Sequence, residues 1–347
     1  MIADDLTGAC DAALPFAKFG FSTSVLLDGG EEGQSGVEMA VLPTFSRQDA
    51  PGEARRKVEA ACRQLARVGA RIIYKKIDST LQGNLAEEIG AVLTLGGFSS
   101  AFVTPAFPRM GRTVVNGLLH LRGKATELHL PTLLAGVPQA QSKDARSDED
   151  LREIAAAALA GRGRVLCVGS GGLAAQLAAL LAARFPRAPA VQTPIGERGP
   201  ALFVMGSEQP ATRAQVDYLV RNRPAAALAV TDLDPATALE AFRQGRHLVV
   251  TVDILQAQAA EAARLLEAAP DHLAAGLVVS GGDTAEWICR AARVQAIAVK
   301  GEMLAGIPWG EAVTRPGGRW CIVTKAGGFG AEDALARASD FLSGENK

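Results

Sequence analysis

Two adjacent acids, Asp4 and Asp5, open the chain in "ADDLTGA", ahead of a Thr-Gly step and a helical pattern. A third acid, Asp78, lies in "KKIDSTLQGN". Carboxylates accept hydrogen bonds from sugar hydroxyls and can act as a general base, whereas they would repel a polyphosphate unless a metal intervened. These acids therefore predict a binding site for a hydroxyl-bearing substrate.

Basic side chains accompany these acids and add a second kind of chemistry. Lys75 and Lys76 precede Asp78, and Arg109 and Arg112 lie in "TPAFPRMGRTVVNG". Their charges can hold a carboxylate or a phosphate that is being transferred. Acids that bind hydroxyls and bases that bind an anion together indicate a site for a hydroxy acid.

Some of these residues also have a structural interpretation. Asp4 or Asp5 could cap the helix that follows, because a carboxylate accepts hydrogen bonds from the first free N–H groups of a helix. Ser79 or Thr80 could satisfy a turn with its hydroxyl. The residues alone leave both interpretations open.

Glycine-rich turns follow two apolar runs in the second half of the chain. In "VVSGGDTAEW", Gly281 and Gly282 end the run and Thr284 lies in the helix that follows, so backbone N–H groups would face a ligand there. In "IVTKAGGFG", Lys325 precedes Gly327 and Gly328, and a lysine beside such a turn suits the phosphate tail of a nucleotide.

Neither turn matches the patterns GxxxxGK[ST] or GxGxxG, and a Gly-Gly pair can simply make a tight turn. A third turn favours the functional interpretation. In "VMGSEQPATRAQ", an apolar run ends in Gly206 and Ser207, and Thr212 follows shortly. Together the turns predict nucleotide binding in the second half.

Composition narrows the class of protein. The chain has 347 residues, 48% hydrophobic content and a formal net charge of -1, so two domains are expected and no basic surface indicates nucleic acid or a membrane. No charge-free span is long enough for a membrane helix, and the start lacks a secretion signal, so a cytoplasmic location is expected. The scattered cysteines favour reduced thiols and disfavour zinc.

Short apolar runs alternate with segments of helical length, which predicts an α/β fold with two domains. Residues 185–201, "FPRAPAVQTPIGERGPA", are rich in proline and glycine and predict a linker near residues 186–199. The predicted domains are 1–190 and 199–347. Predicted strands in the first are Ser22–Leu27, Val37–Leu42, Arg71–Ile77, Ala101–Thr104 and Val165–Val168.

Seven segments, in this order along the chain, resemble the motifs of the four-carbon acid sugar kinase family, formerly a domain of unknown function. They span nearly the whole chain, so chance is a poor explanation. The segments are Ala3–Ala9, Lys76–Asn84, Pro105–Gly117, Gly169–Ala174, Gly206–Gln215, Gly281–Ala285 and Lys325–Gly330.

The resemblance implies an ATP-dependent kinase that phosphorylates the terminal hydroxyl of threonate, erythronate or 3-oxotetronate. It implies an N-terminal sugar-binding domain and a C-terminal nucleotide-binding domain, with the active site in the cleft between them and closure about the linker. Mg²⁺ would bridge the ATP phosphates. Expected partners are the sugar acid and ATP, and a homodimer is compatible with the sequence, which leaves the oligomeric state open.

Site residues follow from the matched motifs. The nucleotide is expected at Gly281, Gly282, Thr284, Gly327 and Gly328, with Ser207 and Thr212 as weaker candidates. The acid sugar is expected at Asp4, Asp5, Lys76, Asp78, Ser79 and Asn84, with Arg112 at its anionic end or at the migrating phosphate. The general base is Asp5 or Asp78, and the sequence does not choose between them.

Three departures from the family pattern affect these expectations. Gln82 stands where the family has an arginine, the region from His120 to Asp144 looks shortened, and only Met1 and Ile2 precede the acidic turn, which makes the first strand short. A non-catalytic or altered-specificity member of the same fold is therefore the alternative. A Rossmann-type dehydrogenase would need GxGxxG after the first strand, where the chain has "ADDLTG" instead.

Overall fold

The computed structural model describes residues 1–27, 36–161, 163–188, 199–253, 276–314 and 318–344. The chain forms two compact units, the first from Met1–Ser22 and Glu38–Pro189 and the second from Thr23–Val37 and Ala190–Lys347. The sequence did not indicate that Thr23–Val37 groups with the second unit. Most of the predicted linker, residues 189–198, lies outside the described residues.

A parallel sheet forms the centre of the first unit, with strand order β3-β1-β4-β10-β5-β9. In β1, Ile2 pairs with Leu42 on one side and Lys75 on the other, so the strand before the acidic turn is short but central. The strands are β1 (Ile2–Ala3), β3 (Met39–Pro43), β4 (Tyr74–Lys76), β5 (Ser100–Thr104), β9 (Ala140–Ser142) and β10 (Val165–Gly169).

Helices connect these strands and bury their apolar sides. In α2, the buried positions Ala54, Val58, Ala61 and Leu65 recur at helical spacing and make one apolar stripe. Helix α1 packs with α6, α5 packs with α6, and α2 packs with α3. The bounds are α1 (Leu6–Lys18), α2 (Pro51–Arg67), α3 (Leu85–Gly96), α4 (Leu130–Leu133), α5 (Asp148–Ala160) and α6 (Gly171–Arg184).

A small antiparallel sheet, which the sequence did not predict, follows the "PAFP" segment. Its strands are β6 (Arg112–Val115), β7 (Leu118–Leu121) and β8 (Lys124–His129), preceded by a 3-10 turn over Pro108–Met110. Arg112 lies at the start of β6, so this sheet positions a predicted site residue.

The second unit has a mixed sheet with the order β12-β13-β11-β14-β17-β16-β15-β2. The first five of these strands run parallel, whereas β16, β15 and β2 pair antiparallel. The strands are β2 (Thr23–Leu26), β11 (Leu202–Met205), β12 (Ala225–Ala229), β13 (His247–Thr251), β14 (Leu277–Ser280), β15 (Val294–Leu304), β16 (Ile307–Thr314) and β17 (Arg319–Lys325).

The helices of this unit are α7 (Pro210–Asn222), α8 (Pro235–Arg243), α9 (Gly282–Ala291) and α10 (Ala334–Ser343), with a 3-10 turn over Val230–Asp232. The core includes Phe203, Val278, Trp309 and Val323, and α10 packs on it. Strand β16 was missed in the sequence because Pro308 and Gly310 disfavour a strand there.

The predicted α/β class is confirmed. The strand predicted at Ser22–Leu27 exists, but it pairs with β15 of the second unit, at Val25 with Ile297. The five cysteines are buried, and each lies in the described residues without a disulfide.

Candidate functional site

The predicted acids gather because their strands are neighbours. Strands β3, β1 and β4 run parallel and side by side, so their carboxyl ends meet at one edge of the first unit's sheet. Asp4 and Asp5 follow β1, Asp78 follows β4, and a loop over residues 44–49 follows β3.

That loop carries Arg47, a residue that sequence reasoning missed. The Arg47 guanidinium lies 2.7 Å from Asp4 Oδ2, 3.0 Å from Asp5 Oδ1 and 3.9 Å from Asp78 Oδ1. Its side chain is only 17% exposed, so solvent screens these contacts little. One cation therefore joins the three predicted acids.

Asp4 is buried, and one of its oxygens is free. Burial alone would raise the pKa of Asp4, but the charges of Arg47 and Lys76 outweigh it and lower the pKa to about 2. Asp4 Oδ1 has no hydrogen-bond partner among the described residues. A buried, ionised acceptor without a donor is suited to a hydroxyl from a ligand.

Asp5 caps helix α1, as the structural interpretation predicted. Its Oδ1 accepts from Gly8 N at 2.9 Å, and its Oδ2 accepts from the Thr7 hydroxyl at 2.9 Å. Burial raises the pKa of Asp5. Because Oδ1 also faces Arg47, both oxygens of Asp5 already have partners.

Gly8 allows Lys76 to approach this cap. A Cβ at Gly8 would lie 2.3 Å from Asp5 Oδ1 and 2.7 Å from Lys76 Nζ, which no real side chain tolerates. Lys76 Nζ is buried and donates to Ile77 O at 2.9 Å. The Thr-Gly step after the acids thus makes room for a cation beside them.

Asp78 is oriented by its own turn. Its Oδ2 accepts from Thr80 N at 2.8 Å, from the Thr80 hydroxyl and from Gln82 N at 3.4 Å. Its Oδ1 faces Arg47, and the side chain is 20% exposed. Ser79 is half-buried, and its hydroxyl makes no hydrogen bond within the described part of the chain.

The remaining predicted residues of the first unit support this edge in different ways. The Asn84 amide donates to Ser46 O and Asp49 O, each at 3.0 Å, and so holds the loop that carries Arg47. Arg112 donates to Met110 O at 3.0 Å. Burial lowers the pKa of Arg112, while the charge of Asp78 raises it, so this guanidinium interacts with the acid edge.

A buried ion pair fixes the same loop and was also missed in the sequence. Lys75 Nζ lies 2.7 Å from Glu88 Oε2 of α3, and both side chains are almost fully buried. The Ser46 hydroxyl donates to Glu88 Oε1 at 2.7 Å and lies 2.7 Å from the Thr44 hydroxyl, which donates to Ala3 O. This chain of contacts connects β4 and α3 to the residue before Arg47.

The predicted nucleotide residues gather in the second unit for the same topological reason. Strands β11, β14 and β17 are parallel neighbours, and each is followed directly or within two residues by glycine: Gly206, Gly281 and Gly327. A Cβ at Gly206 would lie 2.1 Å from Thr284 Oγ1, and a Cβ at Gly327 would lie 2.0 Å from Ser207 Oγ. Gly281 has a φ of 109°, which side-chain-bearing residues rarely adopt.

These turns thus approach one another within van der Waals distance, and glycine is what allows it. Gly282 is the first residue of α9. Gly328 differs from its neighbours, because a Cβ there would meet no atom of the described residues within 4 Å. The open space at Gly328 leaves room for a ligand.

Lys325 is buried beneath the last glycine-rich turn. It is 1% exposed, and its Nζ donates to Gly327 O at 2.9 Å. Burial lowers its pKa to about 8. Thr212 is buried as well, and its hydroxyl donates to Gly327 O at 3.0 Å.

The described ranges contain no group of three or more His, Cys, Asp or Glu side chains that could hold a metal ion. Among the same residues, none of the helices has the length and apolar character that a membrane span needs.

Comparison with known proteins finds a different domain family in each half of the chain. The Sugar-binding N-terminal domain family matches residues 1–142, and the Nucleotide-binding C-terminal domain family matches residues 243–335. A D-threonate kinase of Bordetella bronchiseptica is 32% identical over 406 aligned positions, which cover 99% of this chain and 96% of the relative. A D-threonate kinase of Cupriavidus necator is 31% identical, covering 97% and 96%.

Other curated relatives are named D-erythronate kinase or 3-oxo-tetronate kinase, at 28% and 29% identity. A solved Haemophilus influenzae protein, HI1011, shares the fold with a TM-score of 0.74 at 21% identity, covering 98% of this chain and 99% of that one. The chain belongs to the four-carbon acid sugar kinase family, and the predicted enzyme class, a kinase, is confirmed.

Replacing Arg47 with methionine tests whether this cation supports the acid edge. Arg47→Met should lower the free energy of unfolding by roughly 3–5 kcal/mol at neutral pH, because it leaves buried carboxylates without their partner. The lowered pKa of Asp4, about 2 instead of 3.8, means that its stabilising effect is present above pH 3.8 and is lost as the pH falls through 2. The deficit of the variant should therefore shrink over that interval.

Urea unfolding of both proteins at a series of pH values measures this. Arg55→Met is the control, because Arg55 forms an exposed pair with Glu59 on one helix, worth less than about 0.5 kcal/mol. Equal losses in the two variants would show that Arg47 has no special role.

Proposed function

We propose that the protein is an ATP-dependent kinase that phosphorylates the terminal hydroxyl of a four-carbon acid sugar of the threonate, erythronate or 3-oxotetronate type. The observation that carries the proposal is the acid edge around Arg47, where Asp4 is buried and ionised and its Oδ1 has no donor among the described residues. The names of the curated relatives support the substrate class.

The acid-sugar acceptor would contact both the acidic and the basic side chains at this edge. Its hydroxyls would donate to Asp4 Oδ1 and to Asp78 Oδ1, the oxygens that protein donors occupy least. Lys76 and Arg112 would hold its carboxylate or the migrating phosphate, because a charge-assisted contact to an anion is stronger than a neutral one. Ser79 and Asn84 border the same turn.

Asp78 is the better candidate for the general base. A base must reach the proton that it removes, and geometry decides before the pKa does. Asp5 Oδ1 and Oδ2 already accept from Gly8, Thr7 and Arg47, whereas the one polar contact of Asp78 Oδ1 among the described residues is the 3.9 Å contact to Arg47. Asp5 then acts by capping α1 and holding the guanidinium.

The nucleotide phosphates would lie on the glycine-rich turns of the second unit. The Gly281 N–H already donates to Lys325 O at 3.1 Å, so the N–H groups from Gly282 onward, at the N-terminus of α9, would face the phosphates. Thr284 and Ser207 border the same turn. Gly327 and Gly328 would provide the opposite side. The predicted domains, 1–190 for the acid sugar and 199–347 for the nucleotide, are part of this proposal, with Thr23–Val37 joining the second.

Mg²⁺ fits this site as an ion held mainly by phosphate oxygens and water. The described residues supply no group of three or more acidic, His or Cys side chains that could hold a metal ion, and Mg²⁺ commonly binds proteins through one or two carboxylates plus substrate phosphates. When bound, it would neutralise charge that develops on the transferred group. The chain's own cations near the acceptor, Lys76 and Arg112, would add to that neutralisation.

The open space at Gly328 gives a direct test of nucleotide binding. Gly328→Val should raise the Kd of ATP at least about tenfold, since the added side chain would fill space that a phosphate needs. The fold should survive, because Gly328 has neither a positive φ nor a close neighbour. Calorimetry with MgATP measures the change.

Gly199→Val is the matched control, because Gly199 is equally open and belongs to the same unit. Unchanged ATP affinity in Gly328→Val would remove this turn from the nucleotide site.

Substitution of each acid by its amide separates the two candidate bases. Asp78→Asn should lower kcat on the order of a hundredfold or more and leave MgATP affinity unchanged, because only the proton acceptor is lost. Asp5→Asn should lower thermal stability through the lost charge beside Arg47, with a smaller effect on kcat. Steady-state ADP formation with D-threonate, D-erythronate and 3-oxotetronate measures both, and a larger kcat loss in Asp5→Asn would reverse the assignment.

Gln82 provides a test of substrate specificity. Its backbone N–H contacts the Asp78 turn and its side chain is exposed, so an arginine there can reach an anion beside that turn. Gln82→Arg should raise kcat/KM on threonate or erythronate by about tenfold to a hundredfold, the effect of one charge-assisted pair of roughly 1.5–3 kcal/mol.

The same panel, with 3-oxotetronates and 4-hydroxythreonine added, assays wild type and variant together. Activity that falls on the best substrate and rises on none would show a site adapted to another acceptor. No ADP formation by either protein, with MgATP shown to bind, would favour the non-catalytic alternative.

A further inference from the structure

Buried donors hold the carbonyl groups of the last glycine-rich turn, residues 326–331. Lys325 Nζ donates to Gly327 O at 2.9 Å, to Ala326 O at 3.2 Å and to Phe329 O at 3.3 Å. The Thr212 hydroxyl donates to Gly327 O at 3.0 Å. Lys325 on β17 and Thr212 on α7 therefore hold the carbonyl groups in the first half of the turn toward the protein interior.

Gln215 continues the pattern through the second half of the turn. Its Nε2 donates to Phe329 O and Gly330 O at 3.1 Å and to Ala331 O at 2.9 Å. Gln215 is 1% exposed and lies on α7 one helical turn after Thr212. Within residues 326–331, only the carbonyl of Gly328 has no contact to these three side chains among the described hydrogen bonds.

The direction of these carbonyl groups determines where the N–H groups point. In a trans peptide unit, the C=O of one residue and the N–H of the next point in opposite directions. Because the carbonyls of Ala326 and Gly327 face the buried donors, the N–H groups of Gly327 and Gly328 face away from them. Neither N–H donates to an acceptor among the described residues.

A buried lysine is an unusual residue at position 325 if its only role is to support the turn. A buried ammonium without an acidic partner is costly, and no ion pair of Lys325 exists within the described ranges. Its charge lies directly beneath the peptide units whose N–H groups point outward. Successive outward N–H groups attract anions, and a cation behind them strengthens that attraction.

We propose that Lys325, Thr212 and Gln215 are positioning residues, which orient the N–H groups of Gly327 and Gly328 toward a nucleotide phosphate without touching the nucleotide. This proposal rests on the proposed nucleotide binding. It assigns Thr212 an indirect role, where the sequence predicted direct contact, and it assigns Gln215 a role that the sequence did not predict.

Variants that remove each donor test the proposal. Thr212→Val is isosteric and removes one hydrogen bond to the turn, Gln215→Met removes three, and Lys325→Met removes the ammonium while keeping most of the side-chain length. Thr324→Val is the control, because Thr324 is also buried and neighbours Lys325 on β17, but its side chain points to the other face of the sheet.

The readout that separates positioning from general support is dependence on phosphates. Dissociation constants of ATP, ADP and adenosine, from calorimetry and competition, are compared for every variant together with kcat and both KM values. We expect the Kd of ATP and ADP to rise about fivefold in Thr212→Val, which is the typical effect of losing one hydrogen bond. The rise should be larger in Gln215→Met and Lys325→Met.

Adenosine affinity, the KM of the acid acceptor and all constants of Thr324→Val should stay within about twofold of wild type. Should Lys325→Met fail to fold, Thr212→Val and Gln215→Met carry the test alone. ATP affinity that is unchanged in those two variants, or adenosine affinity that falls by the same factor as ATP affinity, would overturn the proposal.

Gly328→Val distinguishes this failure from failure of nucleotide binding itself. If Gly328→Val weakens ATP binding while the donor variants do not, the positioning role is wrong and the nucleotide site stands. If Gly328→Val also leaves ATP binding unchanged, the turn does not bind the nucleotide, and both proposals fail.

Discussion

The Arg47 guanidinium is the contact on which the acid edge of the first unit depends. Asp4, Asp5 and Asp78 end up close together because β1 and β4 are neighbours, and their mutual repulsion in a buried position would oppose that arrangement. A cation from the loop that follows the third neighbouring strand, β3, compensates for it. Charge balance therefore allows acids to be concentrated at a place where a polar substrate can use them.

The loop that carries Arg47 needs its own support, because a long side chain can bring its charge to one place only if its backbone is fixed. Asn84 holds the loop through two carbonyl groups, and the buried pair of Lys75 and Glu88 holds it through Ser46. Removing the charge of either Lys75 or Glu88 would leave the other as an uncompensated charge in the core. In the motif "KKIDST", Lys75 thus supports the loop that carries Arg47, and Lys76 lies beside the acids of the proposed substrate site.

The sequence predicted the α/β class and the gathering of the acids and glycines, because apolar runs mark strands and parallel strands end at one edge. Arg47 could not be found this way, since its role appears only when β3 is known to lie beside β1. The burial of Lys325 was equally hidden, because residue types in a glycine-rich turn do not reveal which way its carbonyl groups point. Strand β2 was predicted, but a strand of four residues does not encode its partner.

Strand β2 also has a practical consequence for expressing the two units as separate proteins. A fragment cut at the proline-rich segment would begin after β2 and would lose the strand that pairs with Ala296, Ile297 and Ala298 of β15. The exposed N–H and C=O groups would form an open, apolar sheet edge, which other chains can pair with. A fragment of the second unit should therefore stay soluble only if residues 23–27 are joined to one of its ends, as in a circular permutant.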